Sequence, residues 1–307
     1  MTAYGYFGPA GTFTEMALDA WAPAHGQPRT AFGTVDAALE AVRRGEVDEV
    51  MVPIENSVEG GVSATLDALA TGSALVVVGE VLVPITFVLA ARPGVTLADV
   101  RAVGTHSHGW AQVRGWMGTN LPGATYVPTL STAAAAEGLA PEAEGTAYDA
   151  AVCAPVAARN NGLHLLAEDI GDVQGAVTRF VLVARPGSLP APTGADKTTV
   201  VLFQRTDHAG GLLELLEQFA ARGINMTRLE SRPTKDSMGS YCFSVDCEGH
   251  IRDARVAEAL MGLKRICADV RFLGSYRRAD GQPAEIAPLA TDADFASAQA
   301  WLEGLRG

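Results

Sequence analysis

The run Val181-Leu182-Val183-Ala184 followed by Arg185-Pro186-Gly187-Ser188-Leu189-Pro190-Ala191-Pro192-Thr193-Gly194-Ala195-Asp196-Lys197 decides how the chain is divided. An apolar β run stops, and the residues after it hold three prolines and two glycines without apolar periodicity. That is the composition of a linker. It splits the 307 residues into segments of about 185 and about 110, both comfortable domain sizes.

Upstream of the linker, short β-like runs alternate with helical patterns, the signature of an α/β domain. Tyr4-Gly5-Tyr6-Phe7 leads into a glycine turn, and Thr12 with Glu15 opens a helix as a capping box. An amphipathic helix is expected over Thr34–Arg44, a strand over Glu49–Ile54, a helix over Val62–Ala70 and a β run over Val81–Ala90, with Pro84 at a strand start or edge. A second series follows: strand 101–105, helix 108–117, strand 125–128, helix 131–140, strand 149–153, helix 155–161 and strand 163–167. The strand carrying Thr178 closes the domain.

Downstream, strands over Thr198–Gln204, Ile224–Glu230, Ser240–Cys247 and Val270–Tyr276 alternate with helices over Gly211–Ala221 and Arg255–Cys267. This βαββαβ order is the ferredoxin-like split βαβ pattern. The tail, 281–307, reads as a surface appendage with a short helix over Asp294–Leu305.

A net charge of −12 argues against a general nucleic-acid or anionic-membrane binder, because both partners are polyanions. No secretory signal is visible at the N-terminus. The longest apolar stretch, Ala74–Ala91, is interrupted by Gly79-Glu80 and Pro84 and reads as successive strands. The four cysteines contain no Cys-x-x-Cys pair, so a cytoplasmic protein with reduced thiols is expected.

The phosphate-loop, dinucleotide and nucleophile-elbow motifs are absent, and no cofactor is expected. His106-Ser107-His108 offers too few ligands for a metal, and none is expected. Three strand-to-helix junctions are dense in polar groups: Gly8–Thr12, Pro53–Gly61, and Gly104-Thr105-His106 with Gln112 beyond. In open α/β sheets such loops converge on a ligand cleft at the carboxyl ends of the strands. Thr178-Arg179-Phe180 adds a hydroxyl and a fixed charge at the mouth of an apolar strand, and buried charge is costly unless paired. Arg179 therefore binds either an anionic ligand or an internal acid such as Glu55. Alternation along a strand places Thr178 and Phe180 on one face and Arg179 on the other.

Phe7-Gly8-Pro9-Ala10-Gly11-Thr12-Phe13-Thr14-Glu15, Pro53-Ile54-Glu55-Asn56-Ser57 and Thr178-Arg179-Phe180 resemble the signatures of prephenate dehydratases. Ile224–Pro233 resembles the Glu-Ser-Arg-Pro segment of that family's ACT regulatory domain. The likeness runs over roughly residues 3–278. Two motifs depart: the family's Ser-His-Pro-Gln…Gln reads Thr105-His106-Ser107-His108…Gln112, and its Pro-Gly-Ala-Leu reads Ala209-Gly210-Gly211-Leu212.

The resemblance implies a two-lobed, periplasmic-binding-protein-like catalytic domain over 1–185, with lobes of about 1–78 plus 175–185 and 79–174. It implies a linker at 186–197, an ACT domain at 198–279 and a tail at 280–307. It also implies decarboxylative dehydration of prephenate to phenylpyruvate, without a cofactor, with Thr178 as the catalytic residue. Glu55, Asn56, Ser57, Thr105, Gln112 and Arg179 would bind substrate. L-phenylalanine would act as feedback inhibitor at Gly210, Gly211, Leu212, Asn225, Met226, Leu229, Glu230 and Ser231. The assembly would be a homodimer through the ACT domain and a homotetramer. Two alternatives stay open: arogenate dehydratase, and a non-catalytic amino-acid-sensing binding protein on the same scaffold.

Overall fold

The computed structural model describes residues 1–143, 145–234 and 241–306. In chain order the strands are β1 (Tyr4–Phe7), β2 (Arg29–Phe32), β3 (Glu49–Asn56), β4 (Gly60–Gly61), β5 (Val76–Pro84), β6 (Val88–Ala91), β7 (Ala102–Thr105), β8 (Thr125–Pro128), β9 (Ala150–Cys153), β10 (His164–Ala167), β11 (Val177–Ala184), β12 (Asp196–Phe203), β13 (Met226–Pro233), β14 (Tyr241–Glu248) and β15 (Asp269–Arg277). They form three sheets: β2-β1-β3-β11-β5 with β4 beside β3, then β10-β6-β9-β7-β8, then β13-β14-β12-β15. By packing, two compact units result: Met1–Val62 with Val81–Phe180, and Ser63–Glu80 with the chain from Val181 onward.

Local chemistry accounts for the helix boundaries. Thr34 caps the helix Val35–Arg44 by accepting a hydrogen bond from the Ala37 amide, and Gly45 ends it in the left-handed region at φ 74°. Val35, Ala38, Leu39 and Val42 make its buried stripe. At Phe13–Ala20, Thr12 Oγ1 accepts from the Glu15 amide at 3.4 Å. The reciprocal half of the expected capping box is shifted by one residue, because the Glu15 carboxylate takes the Gly11 amide at 2.6 Å.

The chain leaves the first sheet at Pro84, enters the second at Val88, and returns between Ala167 and Val177. The Val81–Ala90 run thus divides between two sheets. The four residues of β6 and of β9 are all buried, and Val88, Ala90, Ala151 and Cys153 form one core cluster with alanines of helices Thr132–Glu137 and Pro155–Asn160. Two further differences from the expected elements have clear causes. The helix expected at 108–117 is two, Ser107–Ala111 and Arg114–Asn120, parted at Val113, which has non-helical φ −126° and ψ 7°. The Asp172 carboxylate accepts from the Gly115 and Trp116 amides at 2.7 and 2.9 Å, capping the second helix from a distant loop. The unexpected strand β2 is a four-residue edge strand, parallel to β1, whose half-exposed residues carry little alternation.

The third sheet is antiparallel and, with helices Gly211–Ala220 and Ala254–Ile266, gives the ferredoxin-like βαββαβ order. Its core includes Val200, Leu202, Leu215, Phe219, Val245 and Leu263. The expected strand 240–247 is found over Tyr241–Glu248, and Ser240 lies outside the described residues. Within this unit, residues 63–80 are held to the sheet by ion pairs: Asp67 with Arg232 at 2.9 Å, and buried Glu80 with Lys197 at 3.1 Å. The tail helix runs Asp292–Arg306. The four cysteines are free and buried. Burial pushes the Cys153 and Cys247 thiols up to about 12, so neither is poised as a nucleophile. No helix among the described residues is long and apolar enough to cross a membrane.

Candidate active site

The carboxyl end of β3 and the start of β11 meet. The Ser57 amide donates to the Val177 carbonyl at 2.9 Å, and Ser57 Oγ accepts from the Val177 amide at 2.9 Å. One residue further in, Asn56 Nδ2 donates to Thr178 Oγ1 at 2.7 Å. One residue beyond that, Arg179 Nη1 pairs with Glu55 Oε2 at 3.4 Å. Numbers fall on one strand as they rise on the other, as in an antiparallel pair. The pleat therefore sends the Asn56–Thr178 pair to one face and the Glu55–Arg179 pair to the other.

The orientation of Asn56 is fixed on both sides. Its Oδ1 accepts from the Val58 and Glu59 amides at 2.8 and 3.2 Å, an Asx turn, so its NH2 must face Thr178. The Thr178 oxygen thereby receives a hydrogen bond, and its own proton remains to be donated. Thr178 is 7 % exposed, buried yet reachable.

The second cluster is drawn together by Glu59. Its carboxylate accepts from Gln112 Nε2 at 3.3 Å and pairs with His108 Nδ1 at 3.1 Å. His108 and Gln112, four positions apart, present both groups to one acid. Burial first, then the neighbouring His108, lowers the pKa of His106, which favours the neutral ring. Glu59 brings a carboxylate to this histidine pair, but no group of three or more metal-ligating side chains converges among the described residues.

Thr105 stands apart from both clusters. It is fully buried, and its hydroxyl is given to the Val152 carbonyl at 2.8 Å, tying β7 to β9. In the Gly8–Thr12 loop, at Gly11 (φ +80°), a Cβ would lie 3.2 Å from Ala157 Cβ. The positive φ favours glycine there, and a side chain would press on Ala157.

Sequence reasoning missed Glu59. Its signal was available: an acid three residues after Asn56 in a Gly-rich loop, matched by a histidine and an amide one helical turn apart.

In the third sheet's domain, Gly210 (φ 90°) precedes helix Gly211–Ala220. A Cβ on Gly211 would lie 2.7 Å from Gln204 Nε2, so the backbone is close-packed there. Beside it is a cavity of about 180 Å³ lined by Gln204, Thr206, His208, Gly211, Glu214 and Ile266. The hydrogen bond His208 donates to the Glu214 carboxylate, then that to the Thr206 carbonyl, raises the His208 pKa. Leu212 and Leu229 are exposed, as are Asn225 and Ser231, whereas Met226 and Glu230 are half-buried. Asn225 follows the far end of the same helix, about 15 Å away for ten residues. One chain does not bring the turn and Asn225 together.

Residues 4–188 match the family model described as prephenate dehydratase, and residues 199–265 match that of the ACT domain. A prephenate dehydratase of Amycolatopsis methanolica is 48 % identical over 307 residues, covering 100 % of this chain and 98 % of that one. The crystal structure of prephenate dehydratase from Arthrobacter aurescens in complex with L-Phe is 57 % identical, with TM-score 0.94, covering 99 % and 100 % of the two chains. GqqA, described as a novel type of quorum quenching acylase, is 32 % identical with TM-score 0.78, covering 92 % and 98 %.

Proposed function

This chain belongs to the prephenate dehydratase family, with an ACT domain after the catalytic one, and from that premise we propose that Thr178 drives departure of the ring hydroxyl of prephenate. The balanced reaction takes prephenate and one proton to phenylpyruvate, carbon dioxide and water. The ring carboxylate leaves as carbon dioxide, its electron pair completes the aromatic ring, and the ring C–O bond breaks. The oxygen that leaves accumulates negative charge, and a hydrogen-bond donor at that point lowers the barrier.

The observation that carries this reading is the 2.7 Å bond from Asn56 Nδ2 to Thr178 Oγ1. It occupies the acceptor side of the hydroxyl, aims its proton outward and polarises the O–H. A threonine hydroxyl is a weak acid, so its role is donation of a hydrogen bond within a relay. Ser57 holds β11 in place, and Gln112, fixed by Glu59, orients the substrate. Glu55 and Arg179, paired on the opposite face, set the local charge; Thr105 acts through β7–β9 packing. The acylase chemistry described for GqqA is the less favoured reading. A threonine nucleophile needs a base that takes its proton, and Thr178 is bonded instead by an amide that donates.

Replacing Asn56 by Ala is expected to lower kcat about tenfold with KM little changed, as for loss of one hydrogen bond worth about 1.4 kcal/mol. Steady-state kinetics on prephenate checks this.

L-phenylalanine is proposed as feedback inhibitor, supported by the L-Phe complex of the Arthrobacter protein. The separation of Gly210–Leu212 from Asn225 along the helix supports a site shared by two copies, and β13, at the edge of the third sheet, is a candidate surface for the second. Asp67, paired with Arg232 next to Ser231, sits on the helix Ser63–Ala70 that follows the Asn56–Gly61 loop in the chain. Assays of prephenate and arogenate, each with and without L-phenylalanine, test the whole reading. Phenylpyruvate formed from prephenate and suppressed by phenylalanine is expected. Turnover of arogenate alone would transfer the assignment to the arogenate enzyme, and no turnover of either would leave the binding protein.

A further inference from the structure

A buried charge with few hydrogen bonds lies outside the residues that line either site. Arg255, in the first turn of helix Ala254–Ile266, is 1 % exposed. Its Nη1 makes one long bond, 3.4 Å, to the Gly223 carbonyl, and its buried Nη2 has no hydrogen-bond partner. No carboxylate among the described residues pairs with it. A guanidinium buried in that state is costly unless something neutralises it.

Arg255 lines a cavity of about 370 Å³, bounded also by Asp196, Asp253, Ile286, Ala290 and Asp292. The tail forms its roof and is anchored there. Ala290 is buried, and Asp292 Oδ1 accepts from the Ala254 amide at 2.8 Å. At roughly 30 Å³ per water-sized group, the space suits a ligand of about twelve non-hydrogen atoms.

The lining chemistry restricts what fits. The Asp196 carboxylate is saturated locally, by the Thr193 amide and hydroxyl and the Gly194 amide at 2.7–3.0 Å. Asp253 and Asp292 accept the backbone amides of His250 and Ala254 respectively, and retain acceptor capacity. A simple anion meets three carboxylates beside one guanidinium, and a simple cation meets the guanidinium. These acids do not form a metal-ligating group among the described residues. A zwitterion satisfies both signs.

We propose that this cavity binds a free α-amino acid, with its carboxylate on Arg255, its ammonium against Asp253 and Asp292, and its side chain against Ile286 and Ala290. The site is separate from the Gly211 cavity, which touches Ile266. Arg255 and Ile266 stand at opposite ends of a 13-residue helix, about 20 Å long. The proposal does not depend on the dehydratase reading, because its test is binding.

Calorimetric titration of the full chain with L-valine and with L-phenylalanine decides it, with acetate and methylammonium as half-ligand probes. The unsubstituted chain is expected to bind at least one of the two amino acids saturably and both half-ligands much more weakly. Arg255→Met is expected to weaken that binding at least tenfold, and Asp292→Asn to weaken it as well. Asp292→Asn, on the outer tail, decides the matter if Arg255→Met fails to fold by circular dichroism. Absence of saturable binding of either amino acid, or binding equally tight in the variants, would overturn the proposal.

Discussion

Thr178→Ala is expected to lower kcat on prephenate by about 10²–10⁴-fold, the usual contribution of a positioned proton or hydrogen-bond donor, while substrate still binds within a few-fold of normal affinity. The separation of the two effects follows from geometry. Thr178 is the end of a fixed chain of bonds, from the Val58 and Glu59 amides through Asn56 to its hydroxyl. The proton at the end of that chain serves a charge that develops only as the ring C–O bond breaks, so its loss falls on kcat. Thr178→Ser keeps the hydroxyl and is expected to retain a substantial part of the activity. Deleting the methyl and hydroxyl of one residue at the edge of β11 leaves the rest of the strand's packing in place. Circular dichroism and calorimetric substrate binding distinguish this outcome from misfolding. An Ala variant within tenfold of normal kcat would remove Thr178 from the catalytic role.

The largest stability effect is expected at Asp246, in the third sheet. Its carboxylate is fully buried, accepts from Arg228 Nε and Nη2 at 3.0 and 3.1 Å, and accepts from Thr199 Oγ1 at 2.7 Å. Thr199 is bonded in turn to the Tyr276 hydroxyl at 2.6 Å, and Arg228 donates to Ser244 Oγ at 2.8 Å. The network therefore links β12, β13, β14 and β15 across the whole sheet. Asp246→Ala removes one partner of a buried ion pair and leaves a guanidinium without its bidentate acceptor, which costs about 3–5 kcal/mol. Urea unfolding of the full chain is expected to show the transition of the ACT domain at markedly lower concentration. Loss of phenylalanine inhibition should follow if that domain senses it. A change below about 1 kcal/mol would mean that the pair is screened as a surface pair is.

How much of this was readable in the sequence varies with the range of the interaction concerned. Thr12, Thr34 and Gly45 act within one turn of their helices, so the starts at Phe13 and Val35 and the stop at Arg44 followed from residue type. The βαββαβ order was legible for the same reason: its strands are long and its turns rich in glycine. Helix breaks imposed from afar were not legible. Asp172 divides the 108–117 segment by capping Gly115 across 57 positions, and no local pattern announces it. The motif residues around Thr178 were identified by resemblance, but the pairing of Asn56 with Thr178 across 122 positions is tertiary information. Alternation sends Thr178 and Arg179 to opposite faces of the strand, and the two side chains do take different partners, Asn56 and Glu55. Glu59 escaped notice because an exposed acid in a glycine loop is usually a solvated one. Arg255 escaped because an arginine near a helix start in a polar stretch gives no sign that it will be buried.

The coupling of Asn56 to Thr178 is the centre of the catalytic proposal, and a double-mutant cycle measures it most directly. The quantity is kcat/KM on prephenate for Asn56→Ala, Thr178→Ala and the double variant, all in the full chain. If Asn56 acts through the Thr178 hydroxyl, the double variant should be no slower than Thr178→Ala alone, with the Asn56 effect absent once its target is gone. If the two losses multiply instead, Asn56 and Thr178 act independently, and the relay proposed here is contradicted.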